Sequence, residues 1–259
     1  MNYGGGGAPE NSSLRGKKAG FTLAEVLITI GIIGLIAALT LPALIANHRK
    51  QVALAKVKQT YNILNNAIEL AKVNYGTDVN GWYFPTTGTQ LEKSMFFAET
   101  YLIPYLKVDY YCKDKYTNQY CKNTPKRING VELAWTMGPE SGQGTSFLLH
   151  NGTVVYVANP TGTDSKRIWI MFDIDGPKGF NKLGYDVFMI ELGGLEGAQE
   201  NNPSRNRFLP YGYDISKKCD YYVSANVNHA CNPDSTYSGS YCLAYIVCNG
   251  WDFGDKYPW

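Results

Sequence analysis

The chain has 259 residues, a formal charge of +2 at pH 7, only 18% charged residues, 27 Gly and 20 Tyr. So even a charge excludes a strongly basic nucleic-acid binder and shows no bias toward acidic substrates, so no nucleic-acid partner is expected. The length allows one large domain or a stalk with a globular head, and the composition suits a loop-rich, sheet-containing extracytoplasmic domain.

Residues 1–20 are polar and Gly-rich and end in Arg15-Gly16-Lys17-Lys18-Ala19-Gly20. Such a composition predicts disorder. Residues 21–41, FTLAEVLITIGIIGLIAALTL, are almost wholly apolar and long enough to cross a bilayer. Their one carboxylate is Glu25. A charge inside a membrane span costs on the order of 3 kcal/mol by insertion scales and is a functional candidate by default. A secretory signal would carry a shorter apolar core and then a small-x-small cleavage site. Here the run continues to Leu41 with no such site directly after it. The basic flank predicts a cytoplasmic N-terminus and a translocated remainder.

Gly20-Phe21-Thr22-Leu23-Ala24-Glu25, set between Lys17-Lys18-Ala19 and the apolar run, resembles the prepilin processing motif of type IV pilins and type II secretion pseudopilins. The resemblance is close over residues 15–45. It implies cleavage after Gly20 by a prepilin peptidase, N-methylation of the new amino terminus on Phe21, and polymerisation through the N-terminal helix. The new amine stands one helical turn from Glu25. Pairing with it in a neighbouring chain would set the axial stagger of subunits; the alternative is that Glu25 snorkels to the headgroups. Gly34 and Pro42 bracket LIAALTL, and both weaken a helix. In assembled pilins the corresponding stretch loses helical order; a plain kink is the alternative. The implied partners are other subunits in a homo- or hetero-polymer, the prepilin peptidase, an inner-membrane assembly platform and membrane lipid. The implied location is the inner membrane, single-pass, with the head periplasmic or extracellular.

Five segments follow: a leader (1–20), a transmembrane or filament-core helix (21–42), an amphipathic continuation (43–76), a head with a β-sheet (77–192) and a Cys/Tyr-rich C-terminal region (193–259). In the continuation, Leu54, Val57, Tyr61, Leu64, Ile68, Ala71 and Tyr75 recur at alternating spacings of three and four. That is one helical stripe, the kind of face on which a sheet packs, and Gly76 offers a C-cap. His48, Arg49 and Lys50 read as a solvated or lipid-contacting collar. Residues 77–145 read as irregular, with one helix possible between Thr89 and Val108.

SFLL and TVVYVA flank His150-Asn151-Gly152 and predict a hairpin; Arg167–Ile174 and Asp186–Leu192 predict two more strands. The expected fold is α+β and pilin-like: three or four antiparallel strands packed on the C-terminal half of the long helix, with a disulfide-bearing C-terminal region.

Between the last two strands, Asp173, Asp175, Asn181 and Asp186 put several hard oxygen ligands in one Gly-bearing loop. Calcium takes six to eight oxygens, and a D-x-D-G turn can supply the first few. Some pseudopilins, which this region loosely resembles, bind calcium beside the sheet. The spacing is not that of an EF-hand, and the alternative is a turn whose side chains cap their own backbone. No other cofactor is expected.

The six cysteines, Cys112, Cys121, Cys219, Cys231, Cys242 and Cys248, contain no C-x-x-C and lie downstream of a membrane segment, which favours disulfides. Cys112 and Cys121 are expected to close a loop. Cys242 and Cys248 stand in CLAYIVC, a β-favouring stretch. If extended they would lie ~20 Å apart, out of bonding range, so each is expected to pair with Cys219 or Cys231. The choice among connectivities stays open. No nucleophile elbow, zincin, phosphate-loop or dinucleotide motif is present, and His48, His150 and His229 are scattered, so no enzyme is expected. The expected function is a structural filament subunit. The competing reading is an unprocessed, membrane-tethered binding module, for example for carbohydrate.

Overall fold

The computed structural model describes residues 1, 4, 20–113, 119–133, 137–158, 168–192 and 206–259. The leader, apart from Met1, Gly4 and Gly20, lies outside the described residues, and so do Arg167 and residues 193–205 at the start of the C-terminal region. The chain forms two compact units, Met1–His48 and Arg49–Trp259.

Helix α1 runs Leu23–Tyr75, 53 residues, and Gly76 ends it at φ +94°, donating its N–H to Lys72 O at 2.9 Å. That is the expected glycine C-cap. In the first unit the helix stays continuous through Gly34 and Pro42. Pro42 has no N–H to give to Ala38 O, the carbonyl four residues earlier; one turn before it, Thr40 Oγ1 donates to Ile36 O at 3.0 Å. From Phe21 to Arg49 no residue is buried, and all but the half-buried Ala37 are exposed.

In the second unit α1 becomes one-sided. Ala53, Val57, Thr60, Leu64, Ala67, Ile68 and Ala71 are buried. Leu54 and Tyr61 of the expected stripe are partly buried, while Tyr75 is 45% exposed and lies against Trp82 and Tyr101. The buried face shares one core with Phe147, Leu149, Val155, Val157, Ile170, Phe172, Phe188 and Ile190 of the sheet. Polar contacts fix the register: Thr60 Oγ1 lies 3.4 Å from Thr153 Oγ1, Asn65 Oδ1 accepts from Phe208 N, and Lys56 Nζ donates to Ile174 O.

The sheet is an antiparallel meander in chain order: β1 Val108–Cys112, β2 Gly144–Leu149, β3 Val154–Ala158, β4 Ile168–Asp173, β5 Val187–Leu192 and β6 Leu209–Pro210. The hairpin turn is as expected, with Gly152 at φ +86° and its N–H on Leu149 O. Two edge strands exceed the expected four. β1 lies in the segment read as irregular: its burial does not alternate, and its register with β2 shifts between Val108 and Tyr110. β6 is two residues long. The second face of the sheet is covered as well, with Tyr156, Met171, Val187 and Met189 meeting Met137 and Leu183.

Helix α2, Gln90–Phe97, starts at a capping box between Thr89 and Glu92 and continues as a π turn and a short 3-10 turn to Tyr105. Helix α3, Cys242–Cys248, corrects the β expectation for CLAYIVC. A seven-residue apolar run has no polar alternation to mark a strand; here Cys242, Leu243, Ala244, Tyr245 and Ile246 are all buried. The pairing expectation stands on different geometry: disulfides join Cys219 to Cys248, Cys231 to Cys242, and Cys112 to Cys121. Cysteines six apart on a helix point to different sides, so each end of α3 is tied to a different loop residue.

Removing the Cys231–Cys242 link, which closes a sequence separation of 11, should cost about 3 kcal/mol by loop-closure entropy. A Cys231→Ser/Cys242→Ser chain should show a matching drop in denaturant midpoint, with a slope no smaller than the parent's because the freed loop lets the unfolded chain expand. An unaltered midpoint would mean that packing alone holds α3.

Candidate functional site

Two places concentrate polar groups where they cost most. The first is the start of α1. Thr22 and Glu25 form a reciprocal capping box. Glu25 Oε2 accepts from Thr22 N and Thr22 Oγ1, both at 2.8 Å, and Glu25 N donates to Thr22 Oγ1 at 3.2 Å. The sequence offers Glu25 a neighbouring amine or the headgroups as partners; the structure adds its own helix start. The T-x-x-E spacing at 22–25 was the available signal for this cap. One carboxylate oxygen is thus held by its own helix start, and the other remains open to a second donor. Gly20 and Phe21 precede the cap in non-helical backbone, and Phe21 is 88% exposed. A Cβ at Gly34 would meet nothing within 4 Å, so no contact in this chain demands glycine there.

The apolar side chains around this cap are uncovered. Leu27, Ile28, Ile30, Ile33, Leu35, Ile36 and Leu39 are each more than half exposed. The most apolar 18-residue window of α1 has a mean hydropathy of 2.4 and is 0% buried. By length and composition it is able to cross a membrane.

The second place is the β4–β5 loop. Oxygens of Asp173, Asp175 and Asp186 all lie within 4.8 Å of one another. Asp173 and Asp186 are buried and Asp175 is exposed. Backbone amides cradle the two buried carboxylates: Gly176 N donates to Asp173 Oδ1 at 3.0 Å, and Asn181 N and Lys182 N donate to the two oxygens of Asp186. The side-chain amide of Asn181 turns one atom toward Asp173 Oδ2 (2.9 Å), Gly176 O (3.3 Å) and Asn123 Nδ2 (2.8 Å). As nitrogen that atom donates to the two oxygens; as oxygen it accepts from Asn123 and joins an all-oxygen cluster. A Cβ built on Gly179 would fall among the carboxylate oxygens of Asp175 and Asp186, so the loop closes only around glycine. Asn123, which also donates to Asp173 Oδ2 at 2.8 Å, comes from a distant loop and had no sequence signal.

Burial, then the charges of Asp186 and Asp175, hold the Asp173 carboxyl well above the usual carboxylate range. Burial likewise raises Asp186, against the backbone N–H groups that favour its charged form. The histidines stay scattered: His48 is exposed, His150 sits at the hairpin 3.0 Å from Asp109, and His229 stacks among Tyr211, Tyr237 and Tyr241.

Residues 43–259 match a model described as "Family of unknown function (DUF6613)", and residues 15–41 match the "Prokaryotic N-terminal methylation motif". The chain is 31% identical over 145 residues to the type II secretion system core protein G of Escherichia coli (strain K12), covering 52% of this chain and 91% of that protein. It is 37% identical over 60 residues to prepilin peptidase-dependent protein D of the same organism, covering 23% of this chain and 40% of that protein. No solved structure gives a significant match.

The raised carboxyl of Asp173 makes the folded chain bind more protons than the unfolded one above the ordinary carboxylate value, about pH 4. Its contribution to stability is therefore full below that pH and falls as pH rises toward the folded value. In detergent with a chelator, the unfolding free energy should fall from about pH 5 to about pH 8, by up to ~1.4 kcal/mol per pH unit and proton, and the melting temperature with it. Asp173→Asn should flatten the slope. An equally steep slope in that variant would clear Asp173 of this role.

Proposed function

The chain belongs to the pilin and pseudopilin family, with residues 43–259 in the matched family of unknown function, and from that premise we propose that it is a pseudopilus-type filament subunit that assembles through α1. The observation that carries this reading is an apolar helix that nothing covers among the described residues, whose one acid stands at a processing junction.

In the proposed sequence of events, residues 21–42 anchor the chain once across the inner membrane with residues 1–20 in the cytoplasm. Prepilin peptidase cuts after Gly20, and Phe21 becomes a methylated amino terminus. The amine places a positive charge next to the capping box. Thr22 already satisfies one oxygen of Glu25, and the second accepts from the Phe21 amine of a neighbouring subunit. An assembly platform draws the helix out of lipid, and the helices of other subunits replace the lipid around it. Gly34 and Pro42 let the segment between them loosen during that transfer. Continuity of α1 in the single chain fits a loosening that needs neighbours.

The acidic loop supports a calcium site in the head. Three carboxylates converge beside the side-chain amide of Asn181, whose oxygen would turn toward a bound ion, and this is the donor chemistry of a hard cation. Asp173, Asp175, Asn181 and Asp186 would hold the ion, which would neutralise the clustered charge and tie the β4–β5 loop to the sheet.

Two outcomes are expected. Glu25→Val should leave the chain in the membrane fraction but lower filament yield by more than a hundredfold, since loss of one member of a buried pair costs about 3 kcal/mol or more; wild-type yield by electron microscopy would remove Glu25 from assembly. Calcium at about a hundred times its dissociation constant should raise stability by ~2.7 kcal/mol. Asp175→Asn/Asp186→Asn should lose that gain, and a melting temperature insensitive to calcium would leave the loop a plain turn.

A further inference from the structure

The tip of the acidic loop carries a feature that assembly through α1 does not use. Phe180 is 73% exposed, the largest opening of any Phe in the head. Its ring meets Tyr185 edge-on at 6.4 Å, and Tyr185 stacks on Trp259 at 5.3 Å. Cations line the same chain of rings: Lys182 Nζ lies 4.5 Å from the Tyr185 ring centroid, and Lys50 Nζ lies 5.9 Å from that of Trp259. Tyr185 and Trp259 are only partly buried, and Tyr185 Oη donates to Pro258 O at 2.8 Å, so the rim is fixed in place. Exposed Lys178 and Arg49 adjoin it in sequence; exposed Asp175 stands on the same loop as the opposing charge.

Chain connectivity restricts where this rim can be. Lys50 follows Pro42, the last residue of the proposed span, by eight positions. Along the helical backbone of α1 that is about 12 Å. A protein surface held that close to a bilayer, with aromatic rings flanked by lysines, has the composition that favours the headgroup layer.

We propose that Phe180, Tyr185 and Trp259, with Lys50 and Lys182, form an interfacial anchor that rests on the headgroups of an anionic phospholipid bilayer before assembly. The rings enter the polar–apolar boundary, and the ammonium groups meet lipid phosphates. The anchor rests on the membrane reading of α1 and adds to it a docked head. Assembly must then break the anchor as well as withdraw the helix.

The test uses the full-length chain reconstituted in phosphatidylcholine–phosphatidylglycerol vesicles, with and without lipid brominated near the headgroup end of its acyl chains. The emission of Trp259 is obtained as the difference between wild type and Trp259→Phe, which keeps a ring on Tyr185. Brominated lipid should quench that difference by about half or more, and Phe180→Ser/Lys182→Glu should relieve most of the quenching. Unquenched Trp259 in a chain that resists alkaline carbonate extraction would overturn the anchor and leave the membrane span intact. Release of the chain by carbonate would overturn the span, and the anchor with it. Quenching that is absent in vesicles while Trp259 becomes shielded in filaments would reassign the rim to a subunit contact.

Discussion

The constraint from which the rest follows is that, among the described residues, nothing covers the first half of α1. The large apolar side chains between Phe21 and Ile45 stand open, and each is worth about 1.5–3 kcal/mol when withdrawn from water. Together they amount to tens of kcal/mol, far more than the net stability of a domain of this size. The helix must therefore always be solvated by something apolar. Lipid can do this for one chain and a bundle of like helices for many. Glu25 is tolerable in either setting because its own helix start already satisfies part of it. The Thr22–Glu25 box fixes the carboxylate and leaves its other oxygen open, where the proposed amine of a neighbouring subunit would bind.

The head solves a different problem with the second half of the same helix. A one-sided stripe covers one face of a six-stranded sheet, and loop residues such as Met137 and Leu183 cover the other. Much of that second layer is irregular backbone, and cross-links compensate. One disulfide ties the edge strand β1 to its loop, and two clamp both ends of α3. The β4–β5 loop is closed by backbone donors to two buried acids. Its charge is thus a latent source of instability that a bound cation would turn into a brace.

Much of this was legible in the chain because the signals were periodic or chemically costly. The stripe from Leu54 to Ala71 has helical spacing that nothing else explains, Asn151-Gly152 dictates a tight turn, and a carboxylate in an apolar run is conspicuous whatever the fold. The convergence of Asp173, Asp175, Asn181 and Asp186 was readable because one short loop holds them all. What escaped lacked such a pattern. β1 is an edge strand with a register slip, and β6 has two residues. CLAYIVC is apolar throughout, so its helix is set by burial and by the two disulfides rather than by local preference. Asn123 reaches Asp173 across 50 positions of sequence, a contact only the tertiary fold creates.

The central claim is that the uncovered helix begins at a newly made amine beside Glu25. Intact-mass and N-terminal fragment analysis of the chain recovered from filaments or membranes measures this directly. The account predicts a species that starts at Phe21 and carries one added methyl group on its amino terminus. A chain that still begins at Met1 in the functional fraction would contradict it, leaving α1 as a plain tether for the head.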